Sequence, residues 1–155
     1  MKKVLKILAI LFLSLIILFA IIAGMTYYKS SQYEKTAVPY IKEKIPLLSN
    51  WEYETTKSLM SPKVLENTKE EDLKKIIHWF SKLGKLNHIE KPEFRNVSTR
   101  SSFTGSGTET IVTYEILAHY ENGDATITMS LLDNNSSFKI YHFNINSMAL
   151  LNEKN

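Results

Sequence analysis

The sequence predicts an α+β protein: an N-terminal transmembrane helix, then helices packed on an antiparallel sheet. Three observations carry this. From Ile7 to Met25 the only polar residue is Ser14. Within Thr68–Gly84 apolar residues recur at helical spacing, and beyond Gly84 the period changes to two. The boundaries that follow are 1–25 for a cytoplasmic stub and transmembrane helix, 26–32 for a linker and 33–155 for one extracytoplasmic domain.

An apolar run needs about 20 helical residues to cross the hydrocarbon layer. Val4 and Leu5 extend the run past Lys6, so residues 4–25 are expected to contact bilayer lipid. Lys2, Lys3 and Lys6 precede it and set the N-terminus inside, giving a single-pass protein of an inner or plasma membrane. A cleaved signal peptide shares the basic start, but its apolar region is normally about 7–15 residues and ends in a small-x-small site. Here the region is longer, and Ala20, Ala23 and Gly24 give no A-x-A. Tyr27 and Tyr28 fall where an interfacial aromatic belt would lie.

The apolar residues Tyr33, Ala37, Val38, Ile41, Ile45 and Leu48 predict a helix, broken or kinked before Pro39 and stopped near Pro46. Ser49 with Glu52 reads as a capping box, so a second helix is expected from Asn50, with Trp51, Thr55 and Leu59 on one face. Ser61-Pro62 ends it and can start one further turn. Thr68 with Glu71 forms a second such box. The helix it opens carries Leu73, Ile76, Ile77, Phe80 and Leu83 inward, with Trp79 at the edge of that core face, His78 opposite and Gly84 as cap.

After Gly84 strands are expected over 86–94, 97–103, 111–121, 125–131 and 138–147. Val112, Tyr114, Ile116, Ala118 and Tyr120 share one parity, as do Ile127, Met129 and Leu131. Pro92 marks a sheet edge or strand end. Residues 104–108 and 133–136 are turns, and Asn122-Gly123 is a hairpin signal. Phe138 and Ile140 share one parity, Phe143 and Ile145 the other, so a bulge is expected near Tyr141-His142. A sheet with one apolar face needs cover, and the preceding helices supply it.

Composition narrows the function. The chain has 19 Lys+Arg and 16 Asp+Glu; removing Lys2, Lys3 and Lys6 leaves 16 against 16. A neutral domain without a basic stripe is a poor nucleic-acid ligand. No cysteine is present, which removes disulfides, thiol nucleophiles, thiolate metal sites and a lipoprotein anchor. No H-x-x-x-H, H-E-x-x-H or carboxylate cluster suggests a metal, and Gly105-Ser106-Gly107 matches neither phosphate-loop nor dinucleotide patterns, so no cofactor is expected. Asn96-Val-Ser98 and Asn134-Asn-Ser136 match glycosylation sequons by chance in an Asn- and Ser-rich chain.

Four histidines remain. His78 and His88 are expected in solvent. His119 and His142, with Glu115 and Tyr141 beside them, are the pocket candidates, since acid–base work needs a group titrating near neutrality. The same residues also fit the polar outer face of a half-solvated sheet, and no catalytic residue is assigned. The tail Met148, Leu150 and Leu151 either closes the core or contacts a partner.

Helix order, the ending Lys82-Leu83-Gly84-Lys85, the hairpin at Asn122-Gly123 and the closing strand 138–147 resemble the nuclear transport factor 2-like (SnoaL-like, cystatin-like) superfamily over roughly residues 33–150. The resemblance implies a curved sheet wrapped around helices in a cone with a pocket, and no single function. An anchor before such a domain also looks like the inner-membrane assembly subunits of type IV secretion systems. The leading expectation is a membrane-anchored, non-enzymatic module that binds an unknown protein or a second copy. The alternative is a SnoaL-like small-molecule binder or acid–base enzyme.

Overall fold

The computed structural model describes residues 2–101, 108–134 and 137–151. Five helices precede five strands among these residues. Helix α1 spans Lys2–Glu34 without interruption. Its 33 residues extend about 50 Å at ~1.5 Å per residue. The stretch 26–32, expected as a linker, is part of this helix. Its large apolar side chains from Ile10 to Ile22 are 49–67% exposed on every side. The Ser14 hydroxyl donates back to the Leu11 carbonyl at 2.8 Å, so the lone polar group is satisfied within the helix. No helix is long and apolar enough to cross a membrane when only the described residues are counted.

Helix α2 spans Ala37–Leu48. The break lies at Lys35-Thr36, earlier than expected, and Pro39 sits in the first turn of α2. There the missing N–H has no intrahelical partner to lose. Ala37, Val38, Ile41, Ile45 and Leu48 form its buried face. The Ser49 capping box is not formed. The Ser49 hydroxyl instead donates to the Ile45 carbonyl at 2.9 Å and meets the Tyr120 hydroxyl at 3.0 Å, so it closes α2. Helix α3 is Tyr53–Leu59, with Thr56 rather than Thr55 on its buried side. Helix α4 is Pro62–Asn67, with proline in its first position as expected.

Helix α5 spans Glu70–Phe80 and tightens into a 3-10 turn over Ser81–Leu83. Thr68 is extended and caps nothing at this helix; Lys69 holds the N-cap position without a side-chain bond. Leu73, Ile77, Phe80 and Leu83 are buried as the spacing predicts. Ile76 and Trp79 are exposed, because the sheet meets only one narrow line of the helix. Gly84 has φ +77°, and a Cβ there would lie 3.0 Å from both the Cβ and Oε2 of Glu121. Gly84→Ala is expected to cost about 1–2 kcal/mol, since it adds left-handed strain to that crowding. Denaturant unfolding measures it; an unchanged midpoint would contradict the cap geometry.

The sheet comprises β1 (Leu86–Ile89), β2 (Glu93–Ser101), β3 (Thr108–Tyr120), β4 (Gly123–Asp133) and β5 (Phe138–Asn146). All pairings are antiparallel, and the order is β1-β3-β4-β5 with β2 also on β3. The expected strand 86–94 is thus two strands split at Glu90–Pro92, both laid along one edge of β3. The expected segment 97–103 belongs to β2 up to Ser101; its last two residues, and most of the turns at 104–108 and 133–136, lie outside the described residues. The hairpin loop is Glu121-Asn122, with Tyr120 opposite Gly123.

Register shifts at Asn87, Arg95 and Tyr141 bend the sheet. The last is the bulge expected from the parity change: Ser130 faces His142 and Leu131 faces Ile140, leaving Tyr141 extra. One face of the sheet packs on α2 and the aromatic cluster of Trp51, Phe80 and Tyr120. Ser61 N–H donates to the Ile140 carbonyl at 2.8 Å, and Lys139 Nζ reaches the Ser58 carbonyl at 2.8 Å. The α3–α4 junction thereby covers the free edge of β5.

Candidate functional site

The bulge and the helices crossing the β5 edge create the main concavity. Strand β5 changes phase at Tyr141, so Tyr141 and His142 both turn toward α4. Two cavities meet there. The first, about 190 Å³, is mainly apolar and lies between α3, α5 and β5, with Leu48, Trp51, Leu73, Ile77, Phe80 and Phe143 on its wall. The second, about 570 Å³, is polar and lies between α4 and the outer face of the sheet. Lys63, Asn67, Asn96, Arg100, Thr113 and Ser130 line it. Val64, Thr68, Tyr141 and His142 line both.

Trp51 anchors the apolar cavity in an unusual conformation. Its φ is +60°, rare for a non-glycine residue. The indole N–H donates to the Gly84 carbonyl at 3.0 Å, and the ring packs on Tyr120 and Phe80 at 5.6 and 6.5 Å between centroids. These contacts hold a backbone geometry that costs of order 1–3 kcal/mol. At the polar side, Lys63 lies over the Tyr141 ring at 5.9 Å and reaches Glu109 at 3.4 Å. The Arg100 guanidinium approaches the Tyr141 hydroxyl at 3.5 Å. Thr113 and Ser130 share a hydroxyl hydrogen bond of 2.9 Å on the sheet surface.

The pocket candidates do not assemble as one group. His142 and Tyr141 sit together at the shared wall. His119 lies on the same outer face but near the far end of β3. His142 is opposite Ser130, which is opposite Thr113, six residues from His119; that is about 20 Å along the strand. Glu115 is tied to Arg95 at 2.5 Å. Met148 and Leu151 are exposed, whereas Leu150 is buried in the core, so the tail both closes the core and presents apolar side chains. Among the described residues, no group of three or more His, Cys, Asp or Glu is placed to hold a metal ion.

His119 has its own environment. Nδ1 lies 2.7 Å from Asp124 and Nε2 lies 3.5 Å from Glu90, while the ring stacks on His88 at 4.2 Å. The hydrogen bond to Asp124 raises its pKa, outweighing the opposing effect of desolvation, and Glu90 adds a lesser upward push. A folded-state pKa above the unfolded value of about 6.5 gives stability that is fully present below that value and lost as pH rises through the folded one. The His119 ring protons are expected to titrate above pH ~6.5 by NMR, and Asp124→Asn should lower the midpoint. A wild-type midpoint below the ordinary value would contradict this geometry.

Tyr114, buried at the base of a third cleft lined by Glu34, Glu90, Lys91 and Glu93, has a hydroxyl without a hydrogen-bond partner. Burial, with Glu34 nearby, pushes its pKa up to about 12.

Sequence reasoning missed Lys63, Arg100 and Asn67, because nothing in the chain order says that α4, seated at the β5 edge, shares a cleft with β2. Asp124 was missed as well: the expected Asn122-Gly123 loop would set it opposite Glu121, whereas the observed loop, Glu121-Asn122, sets it opposite His119. No family model matches the chain, and neither a curated protein nor a solved structure matches it.

Proposed function

We propose that the chain is a single-pass, membrane-anchored binding module, non-enzymatic, with its N-terminus in the cytoplasm and its α+β domain at the outer face of the membrane. The observation that carries this reading is the collar of large apolar side chains over 10–22. They face outward on every side of α1, where a helix on a soluble domain would show one apolar stripe. Such a surface is sustained by lipid or by protein, and the sequence of 4–25, apolar but for Lys6 and Ser14, favours lipid. The three N-terminal lysines supply the orientation.

The module engages a protein partner or a second copy. Exposed Met148 and Leu151 beside buried Leu150, and Leu117 on the outer sheet face, support this part. A second reading, binding of a small molecule, has its own support in the two cavities that meet at Tyr141-His142. The curved sheet with helices on one face also favours a cone of the nuclear transport factor 2-like kind. Acid–base catalysis through a His119–His142 pair is not favoured, since the rings stand far apart along the sheet.

Membrane fractionation tests the anchor. The full chain is expected in the membrane pellet and to stay there through alkaline extraction. A soluble product beginning near Met25 would overturn the reading in favour of a cleaved leader.

A further inference from the structure

The two cavities at the β5 bulge are complementary in chemistry. Apart from His142, the apolar chamber has no ionisable group on its wall except the Tyr141 phenol. The polar cleft carries Lys63 and Arg100 and has no carboxylate among its lining residues. Glu109 stands outside that lining and holds Lys63 only at 3.4 Å, with the lysine side chain half exposed. Breaking an exposed pair of that length costs little. Among the described residues, the Arg100 guanidinium makes one long contact, to the Tyr141 hydroxyl, with Glu109 its neighbour across the strand pair. An anion entering the cleft meets two cations with little to displace, and amide and hydroxyl groups of Asn67, Asn96, Thr113 and Ser130 stand around it.

Size decides what fills the apolar side. A dry cavity of about 150 Å³ admits benzene. The chamber here, about 190 Å³, takes an aromatic ring or a short branched alkyl group and excludes a long acyl chain. Leu48, on its wall, is the last residue of α2, about 18 Å from the start of that 12-residue helix. The chamber is therefore removed from the end of α1, which argues for a free ligand over an intact membrane lipid.

We propose that the site at Tyr141-His142 binds a small amphipathic anion, its compact apolar group in the chamber walled by Trp51 and Phe80 and its carboxylate or phosphate in the cleft between Lys63 and Arg100. The proposal rests on the small-molecule reading above and names its ligand class. Tyr141 lines both compartments, with Lys63 over its ring, Arg100 at its hydroxyl and its backbone at the bulge. His142, on the shared wall, faces the junction where the apolar group joins the anion.

The test uses the full chain in nanodiscs of zwitterionic lipid, titrated with 3-phenylpropionate, hexanoate and phenyl phosphate. The readouts are calorimetry and the NMR shift of the Trp51 indole N–H. Saturable binding is expected for at least one anion, with the Trp51 signal moving. The matched neutral alcohol (3-phenylpropanol, hexanol or benzyl alcohol) and the bare anions acetate and inorganic phosphate should bind at least tenfold more weakly. Arg100→Gln should weaken the anion roughly ten- to hundredfold, the range for losing a charged hydrogen bond. Val64→Phe, which puts a ring into the shared wall, should abolish binding, and both variants should keep the wild-type unfolding temperature. A cavity-filling variant that loses that temperature leaves Arg100→Gln to decide. If alcohol and acid bind equally, or Arg100→Gln changes nothing, the anion assignment is overturned while small-molecule binding stands. If none of the three anions nor their alcohols binds, the small-molecule reading falls with it.

Discussion

Phe80→Ala is expected to cost about 3–5 kcal/mol, the usual range for truncating a buried aromatic. Phe80 is 4% exposed, and its ring meets Trp51, Trp79 and Phe143 with centroids 6.5, 5.5 and 6.1 Å away. It is the main tie between α5 and the last strand. Removing it leaves a void beside a chamber that already exists, so little collapse can repair the loss. A domain of this size has only about 5–15 kcal/mol of stability, and the loss takes a large part of it. His78→Ala on the opposite side of the same helix should be near neutral, because His78 is exposed. Denaturant unfolding of a fragment starting at Ser30, which retains the Tyr33 contacts to Phe138 and Asp133, measures both. Equal shifts in the two variants would contradict the assigned buried face.

The double substitution Leu13→Lys, Ile17→Lys is expected to abolish membrane retention. The two positions are four apart and lie near the middle of the apolar run. A lysine at the centre of a spanning helix opposes insertion by about 2.5–3.5 kcal/mol, so the pair opposes it by roughly 5–7 kcal/mol. Leu13→Ala, Ile17→Ala keeps the segment apolar and should remain in the membrane pellet. The fraction surviving alkaline extraction measures the difference. Wild-type retention in the lysine variant would mean that something other than lipid holds α1.

The sheet was the most legible part of the chain because its period is strict. Alternation placed Val112, Tyr114, Ile116, Ala118 and Tyr120 inward, and all five are buried. One change of parity located the bulge at Tyr141. The inward line of α5 was legible for the same reason, except at Ile76 and Trp79, where the spacing fits but the sheet does not reach. Helix starts were the weak point. A Ser or Thr three residues before Glu is a local pattern that tertiary contacts override: Ser49 is drawn to Ile45 and Tyr120, and Thr68 stays extended. Pro39 misled because proline breaks a helix only beyond its first turn. The split of β1 from β2 is a long-range matter, since both compete for one edge of β3.

The site was half legible. The parity change that located the bulge also singled out Tyr141 and His142, and both stand at the junction of the cavities. The cations that give that junction its charge come from α4 and β2, 78 and 41 positions before Tyr141. Their approach depends on how α4 crosses the sheet edge, which no local spacing records. His119 and Glu115 shared the predicted polar face, but their partners, Asp124 and Arg95, make them ordinary surface ion pairs.

Delivery of the domain to the outer side by a membrane span is read out by two reporters fused after Asn155. One reporter is active only outside the cytoplasm, and the other fluoresces only inside it. Activity from the first and darkness from the second are expected, at equal protein abundance. A silent outer reporter with a bright inner one, both fused to intact chain, would contradict it.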